Sequence, residues 1–294
     1  MIKIKFIVII FLLSAFCAHS KNEEGEPTLW DKILDKYWNI PTHLQNSPTI
    51  EINYGLAQPQ FVNIDFSGKL AMAYSLDLKY GFTRFYGFKE LPGNFYYASE
   101  FAFASNQSSH LKFPQFPYQG LTTDSWRFGL GYRNGYGYEF ANLSRLILYH
   151  SSSLIWTAVD FEGSGNSPGD SATIKKYDET TRFGQSFEAG AMYSLSGMVY
   201  LNAGVENQIV FPRHNFGQWL VPLFGELIIQ RTIDFFGDDL LKANKLSYPI
   251  LNAVLKYTIS YILYTLKRND MNWPFESASP MTYTTYKLGI TLMF

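Results

Sequence analysis

The sequence predicts an all-β chain: a transmembrane antiparallel β-barrel of about ten strands, preceded by a short amphipathic helix. Three observations carry that reading. The chain begins like an exported protein. Large apolar and small or polar residues alternate along many segments. The composition is heavy in aromatics, with 21 tyrosines and 25 phenylalanines among 294 residues, yet no later stretch reads as an apolar membrane helix.

The leader comes first. Lys3 and Lys5 precede the apolar run Phe6 to Leu13, and Ala18 and Ser20 supply small residues before Lys21. That is the pattern of a cleaved secretory signal peptide over 1–20, and its apolar run is too short to span a bilayer. Cys17 is the one cysteine, so cleavage after Ser20 leaves no disulfide or thiol chemistry. Removing Lys3 and Lys5 from 24 basic against 25 acidic residues leaves a small negative balance, which gives nucleic acid no electrostatic hold. His43, His110, His150 and His214 are scattered. No phosphate loop, nucleotide fingerprint or metal-spaced cluster appears, so no cofactor is expected.

Residues 21–48 form an expected periplasmic segment. Within it Trp30, Ile33, Leu34, Tyr37 and Trp38 make a helical stripe over 28–38, and Thr28 with Asp31 resembles a capping box. The barrel is expected over 49–294. Strand side chains point alternately to opposite faces. In 70–82, Leu70, Met72, Tyr74, Leu76, Leu78, Tyr80 and Phe82 oppose Ala71, Ala73, Ser75, Asp77, Lys79 and Gly81. Similar alternation runs through 95–104, 126–133, 183–195 and 199–206. The faces opposite the bulky residues combine glycine, alanine and serine with charges of both signs, which suits the crowded interior of a narrow barrel.

Expected strands are 49–57, 69–84, 94–106, 124–138, 144–160, 181–195, 198–209, 220–232, 250–266 and 281–294. If the first rises from the periplasm, outer connections should exceed inner ones; only 233–249 breaks that rule. The same region admits an alternative of eight strands plus two helices. Asp77, Lys79, Glu100, Arg127, Arg133, Arg145, Glu188, Glu206, Lys256 and Lys287 are expected to share the lumen. Mixed signs favour a plugged barrel over an ion-selective pore.

The last strand, "TYTTYKLGITLMF", sets Tyr286, Leu288, Ile290, Leu292 and the terminal Phe294 on one face. It resembles the C-terminal strand of Gram-negative outer-membrane barrels. The resemblance implies recognition by the barrel-assembly machinery and residence in the outer membrane, here as a monomer with the lipid bilayer as partner.

One strand raises a chemical question. In "RLILYHSSSLIW" (145–156), His150 and Ser152 share a face with Leu146, Leu148, Leu154 and Trp156, the face expected to meet lipid. A pairing of Trp126 with Trp156, Phe128 with Leu154, Leu130 with Ser152, Tyr132 with His150 and Tyr136 with Leu146 keeps them there. A histidine two residues from a serine on one face can bring a base to a nucleophile. The pair resembles the His-x-Ser of outer-membrane phospholipases and lipid A deacylases, implying an acyl hydrolase with Ser152 as nucleophile and His150 as base. Those families follow the serine with asparagine and supply an orienting acid or amide about a dozen residues on; Ser153 and Ser164 stand at those places here. Asp160 and Glu162 are substitute acids. Across 124–206, "RLILYHSSS", "QSFEAG" and "YLNAGVE" also resemble an uncharacterised outer-membrane family with a Tyr-His-x-Ser-Ser strand. The leading expectation is therefore a structural or surface-exposed barrel without enzymatic activity. Lipid acyl hydrolysis by His150 and Ser152 is the alternative, and a narrow diffusion pore the second alternative.

Overall fold

The computed structural model describes residues 47–62, 64, 66–87, 93–111, 120–140, 144–163, 167–213, 222–234 and 244–294. The expected signal peptide, Cys17 and the 28–38 helix lie outside these residues.

Eight antiparallel strands close into a barrel: β1 (Ser47–Phe61), β2 (Ala73–Gly87), β3 (Asn94–Ser108), β4 (Thr122–Glu139), β5 (Arg145–Glu162), β6 (Thr180–Ser194), β7 (Val199–Val210) and β8 (Met281–Met293). Each strand pairs with its chain neighbours, and β1 also pairs with β8, Ile52 opposite Ile290. Closure leaves no strand edge with unpaired amides. A short helix, α1 (Pro168–Ile174), lies between β5 and β6. Two more lie between β7 and β8: α2, over 222–234, and α3 (Ser247–Asn269).

The described residues of the expected strands 220–232 and 250–266 are therefore helical, and the eight-stranded alternative is the correct one. With eight strands the exception to the connection rule disappears. The connections 62–72, 109–121, 163–179 and 211–280 alternate with the shorter 88–93, 140–144 and 195–198.

The outer surface carries the apolar face. Leu76, Leu78, Tyr80, Phe82, Trp126, Phe128, Leu130, Tyr286, Leu288 and Ile290 are all exposed. The expected facing of β2, β4, β6, β7 and β8 holds. That of β3 is reversed: Tyr97, Phe101 and Phe103 are buried in the lumen, while Ala98, Glu100, Ala102 and Ala104 face outward. The reason lies on β4. A Cβ on Gly131 would meet the Phe101 ring at 2.4 Å, and one on Gly129 the Phe103 ring at 2.7 Å. The two glycines provide the floor on which the rings rest.

Eight lumen charges among the described residues form one neutral set of four cations and four carboxylates. Arg133 grips Glu51 with both guanidinium nitrogens at 2.6 and 3.0 Å and reaches Glu188 at 3.2 Å. Lys79 lies 2.9 Å from both Glu51 and Glu188. Arg127 meets Asp77 and Glu206 at 3.0 Å each, and Lys287 meets the same two carboxylates at 2.5 Å each. Glu51 belongs to this set in addition to the expected members. Three expected members do not. Glu100 points outward with β3's alternate face, 3.9 Å from Arg84. Arg145 pairs with Glu139 at the inner end of β4 and β5. Lys256 lies on α3.

Apolar layers close the barrel beyond the charges. Tyr97, Tyr149, Ile147, Met192 and Tyr200 pack towards the inner end. Tyr283, Met281, Val159, Val210 and Tyr177 pack towards the outer end. Tyr177 follows α1, is fully buried and accepts the Met281 N–H at 3.0 Å; burial pushes its hydroxyl pKa up. Asp170 of α1 accepts from the Ser67 amide at 2.9 Å, tying α1 to the β1–β2 connection.

Gly131→Val is expected to force the Phe101 ring from its seat and cost about 1–3 kcal/mol, the usual penalty of overpacking. A lower urea midpoint for loss of the heat-modifiable band in gel electrophoresis, against an unchanged midpoint for Gly87→Ala, checks it. A Cβ on Gly87 meets nothing within 4 Å.

Candidate functional site

The site grows from one face of β4 to β7. Here the outward positions include polar residues: Asn134 on β4, His150 and Ser152 on β5, Gln185 on β6 and Asn207 on β7. Left in hydrocarbon, each would cost free energy. α2 and α3 cover this wall. α2 starts at the outer end, where Leu223 packs with Phe211 and Ile209, and ends with Asp234 beside Asn134. α3 returns from the inner end, where Tyr248 meets Tyr136 edge-on at 5.0 Å, to Met271 beside Phe211. The chain just before α3 is fixed to the inner rim: Asn94 donates to the Lys245 carbonyl at 3.1 Å, and the Tyr138 hydroxyl donates to that of Leu246.

Both helices turn a row of polar residues towards the barrel. On α2 these are Glu226, Gln230 and Asp234, spaced by four; on α3 they are Asn252, Lys256 and Ser260, with the same spacing, and Lys267. Four-residue spacing stacks side chains on one helix face. Lys256 and Lys267 are fully buried. Lys256 pairs with Asp234 at 2.5 Å and donates to Asn134 Oδ1 at 2.9 Å. Asn134 Nδ2 in turn donates to Asp234 at 3.3 Å. Lys267 pairs with Glu226 at 2.8 Å, and Ser260 donates to the other Glu226 oxygen at 3.2 Å. Gln230 donates to Ser260 at 2.8 Å. Meanwhile Ile250, Val254, Tyr261 and Ile262 of α3 and Phe224 and Leu227 of α2 are exposed. Helices docked on a protein in water carry the opposite polarity.

A cavity of about 320 Å³ remains between the helices and the wall. His150, Ser152, Gln185, Asn207, Glu226 and Asp234 supply polar groups to it, and Leu130, Leu154, Phe187, Ile209 and Leu223 supply apolar walls. His150 is 2% exposed and stacks on Phe187 at 6.1 Å. Its Nε2 is buried without a hydrogen-bond partner.

The structure thus brings His150 and Ser152 into one cavity on the outer wall, the face expected for them. Their cross-strand partners differ from the expected ones by two residues. Asn134 lies opposite His150, Tyr132 opposite Ser152, Leu130 opposite Leu154 and Phe128 opposite Trp156. Phe128 and Trp156 stack at 5.8 Å. The shift is even, so every side chain keeps its face. Asp160 and Glu162 stand at the outer end of β5, away from the cavity; Glu162 instead meets His110 at 2.8 Å. Ser164 is outside the described residues. The acids that do line the cavity, Glu226 and Asp234, both lie on α2, expected as a strand over 220–232 followed by a connection. Their signal was the four-residue spacing of polar residues in 226–234 and 252–260. Among the described residues no group of three or more histidine, cysteine or carboxylate side chains forms a metal site.

Closed, even-stranded and antiparallel, apolar outside and charged within: this architecture is that of a transmembrane β-barrel, here with a helical pair on its wall. No family model and no curated protein sequence matches the chain. Among solved structures, Neisserial surface protein A is similar at 12% identity and TM-score 0.38, over 84% of this chain and 97% of that one. Ail, the attachment invasion locus protein of Yersinia pestis, is similar at 8% identity and TM-score 0.34, over 85% and 100%. The outer membrane protein OprG from Pseudomonas aeruginosa is similar at 10% identity and TM-score 0.31, over 86% and 97%. At these values the reading of this chain rests on its own geometry.

Replacing Lys256 with methionine strands Asp234 as an unpaired buried charge, a loss of about 3–5 kcal/mol. Faster hydrogen exchange of the α3 amides is the expected readout. Adding Asp234→Leu to Lys256→Met is expected to restore most of the protection, because the cost comes from the unpaired charge.

Proposed function

We propose that this protein is a sealed outer-membrane barrel whose working surface is its lipid-facing wall. The observation that carries the reading is the continuity of its apolar exterior. The exposed residues of β1, β2, β4 and β8 run on into the exposed residues of α2 and α3, whose charged pairs Asp234–Lys256 and Glu226–Lys267 are turned inward. Hydrocarbon is the solvent in which both the strand faces and the helix faces are correctly oriented. With 23 residues, α3 is roughly 35 Å long, enough to follow the barrel across a hydrocarbon core of about 30 Å. No helix among the described residues is both long and apolar enough to cross a membrane alone; α3 instead shelters its lysines against the barrel.

The neutral lumen network supports a non-conducting role. Four cations compensate four carboxylates, and the void beside Arg133 and Glu51 measures about 10 Å³, about one water's worth. Apolar layers close both ends. The purified protein in planar bilayers is expected to show no single-channel steps. Discrete, reproducible conductance would replace the sealed barrel with the diffusion-pore alternative. Partitioning of the expressed chain into the outer-membrane fraction, and its release by detergent but not by carbonate, checks the membrane reading itself.

Acyl hydrolysis is a second reading, favoured by the presence of His150 and Ser152 in one cavity. Against it, the nearby acids are committed elsewhere: Asp234 to Lys256 and Asn134, Glu226 to Lys267 and Ser260. A nucleophile's base needs a group that orients it. Phospholipid incubated with wild-type protein and with Ser152→Ala is expected to release equal background amounts of fatty acid. Release that drops at least a hundredfold in the variant would establish the hydrolase instead.

A further inference from the structure

We propose that the cavity between the helical pair and the barrel wall binds one acyl chain of a membrane amphiphile, with the carbonyl end of the chain at His150. The proposal rests on the membrane reading above and adds a ligand class to the same wall.

Three features of the cavity lead there. The first is its unmet hydrogen bond. His150 is almost fully buried, lines the cavity and leaves Nε2 without a protein partner. Buried polar atoms are rarely left so, and such an atom calls for a ligand or a water. An imidazole nitrogen donates to an ester or carboxyl oxygen in one tautomer and accepts from an acid O–H in the other. Ser152 lines the same space and offers a hydroxyl that both donates and accepts.

The second is the wall composition. Leu130, Leu154, Phe187, Ile209, Leu223 and Leu227 surround the polar floor. A volume of about 320 Å³ is at the small end of ligand sites, which run from ~300 to 1,000 Å³. It suits one chain, not a whole lipid. The charges at the floor are compensated by Lys256–Asp234 and Lys267–Glu226, which favours a carbonyl group over a phosphate. Arg231 also lines the cavity, its guanidinium 5.5 Å from the Tyr132 ring centroid.

The third is access. Leu130 and Leu227 both line the cavity and are 59% and 42% exposed, so the rim opens on the apolar exterior. With hydrocarbon outside, the molecules at the mouth are acyl chains, and entry requires no passage through water.

The test uses the purified protein in a mild detergent, exchanged against palmitate or phosphatidylethanolamine and examined by native mass spectrometry. Wild type is expected to retain one molecule per barrel of at least one probe. Palmitate alone identifies a free-acid site; phosphatidylethanolamine alone identifies a site for one chain of an intact lipid. Leu154→Trp fills the cavity from the wall and Leu223→Phe fills it from α2. Either variant that keeps the heat-modifiable band is expected to lose binding at least tenfold. His150→Phe keeps the stack on Phe187 and removes the nitrogen, and is expected to weaken binding about tenfold. Retention of neither probe by wild type overturns the proposal, as does unaltered binding by a folded cavity-filling variant. An adventitious detergent-phase association is recognised by that second result. A chain absent from the membrane fraction would defeat the membrane reading first, which separates the two failures. Fatty acid release that stops in Ser152→Ala would keep the chain-binding site and add hydrolysis to it.

Discussion

A side chain on the wall of a membrane barrel has two ways to leave hydrocarbon. It can point into the lumen, or something can be laid over it. This chain uses both, and its structure follows from that constraint. Eight strands make a lumen so narrow that charges pointing inward meet one another. Arg133 therefore grips Glu51 bidentately while Lys79 bridges Glu51 and Glu188. Pairing satisfies the charges, and the pairing itself fills the bore. A wider barrel would leave water between the same groups, so strand number and closure are parts of one choice.

The second way explains the longest connection. Asn134, His150, Ser152 and Asn207 lie outside on adjacent strands, and the β7–β8 segment returns along the wall to cover them. The cover is held by polar contacts and close packing and not by a hydrophobic driving force, since lipid is as apolar as the residues it would bury. Lys256 with Asp234 and Lys267 with Glu226 gain from low dielectric what a surface pair in water would lose to screening. Such pairs also fix position, because sliding either helix by one turn would separate lysine from carboxylate.

Much of the barrel was legible in the sequence, because alternation reports the environment of both faces. β2, β4, β6, β7 and β8 follow it, and an even register shift between β4 and β5 leaves it intact. β3 misled because size is a poorer guide than polarity. Phe101 and Phe103 are large but belong inside, where Gly129 and Gly131 make room on the neighbouring strand; the information sat outside β3 itself. α3 misled for a different reason. Tyr257, Ile259, Tyr261 and Leu263 alternate with Lys256, Thr258 and Ser260 closely enough to imitate a strand. The decisive pattern was the four-residue spacing of Asn252, Lys256 and Ser260, which a reading tuned to period two passes over. The candidate site was half legible for the same cause. His150 and Ser152 lie on a strand and were found; Glu226 and Asp234 lie on the misassigned α2 and were not.

The placement of His150 now has a physical account. Its face does meet the exterior, but the exterior at that point is protein. The helical pair satisfies Asn134 directly and leaves His150 Nε2 unpaired over a space open to the apolar side. A cover built only to hide polar residues would reach every one of them, as the Lys256–Asn134–Asp234 cluster reaches its own. Leu154, Phe187 and Ile209 line the space that remains beside the histidine. A tight seal on one side of His150 and a gap on the other are what a wall needs in order to hold a chain drawn from the surrounding hydrocarbon while keeping its own charges out of it.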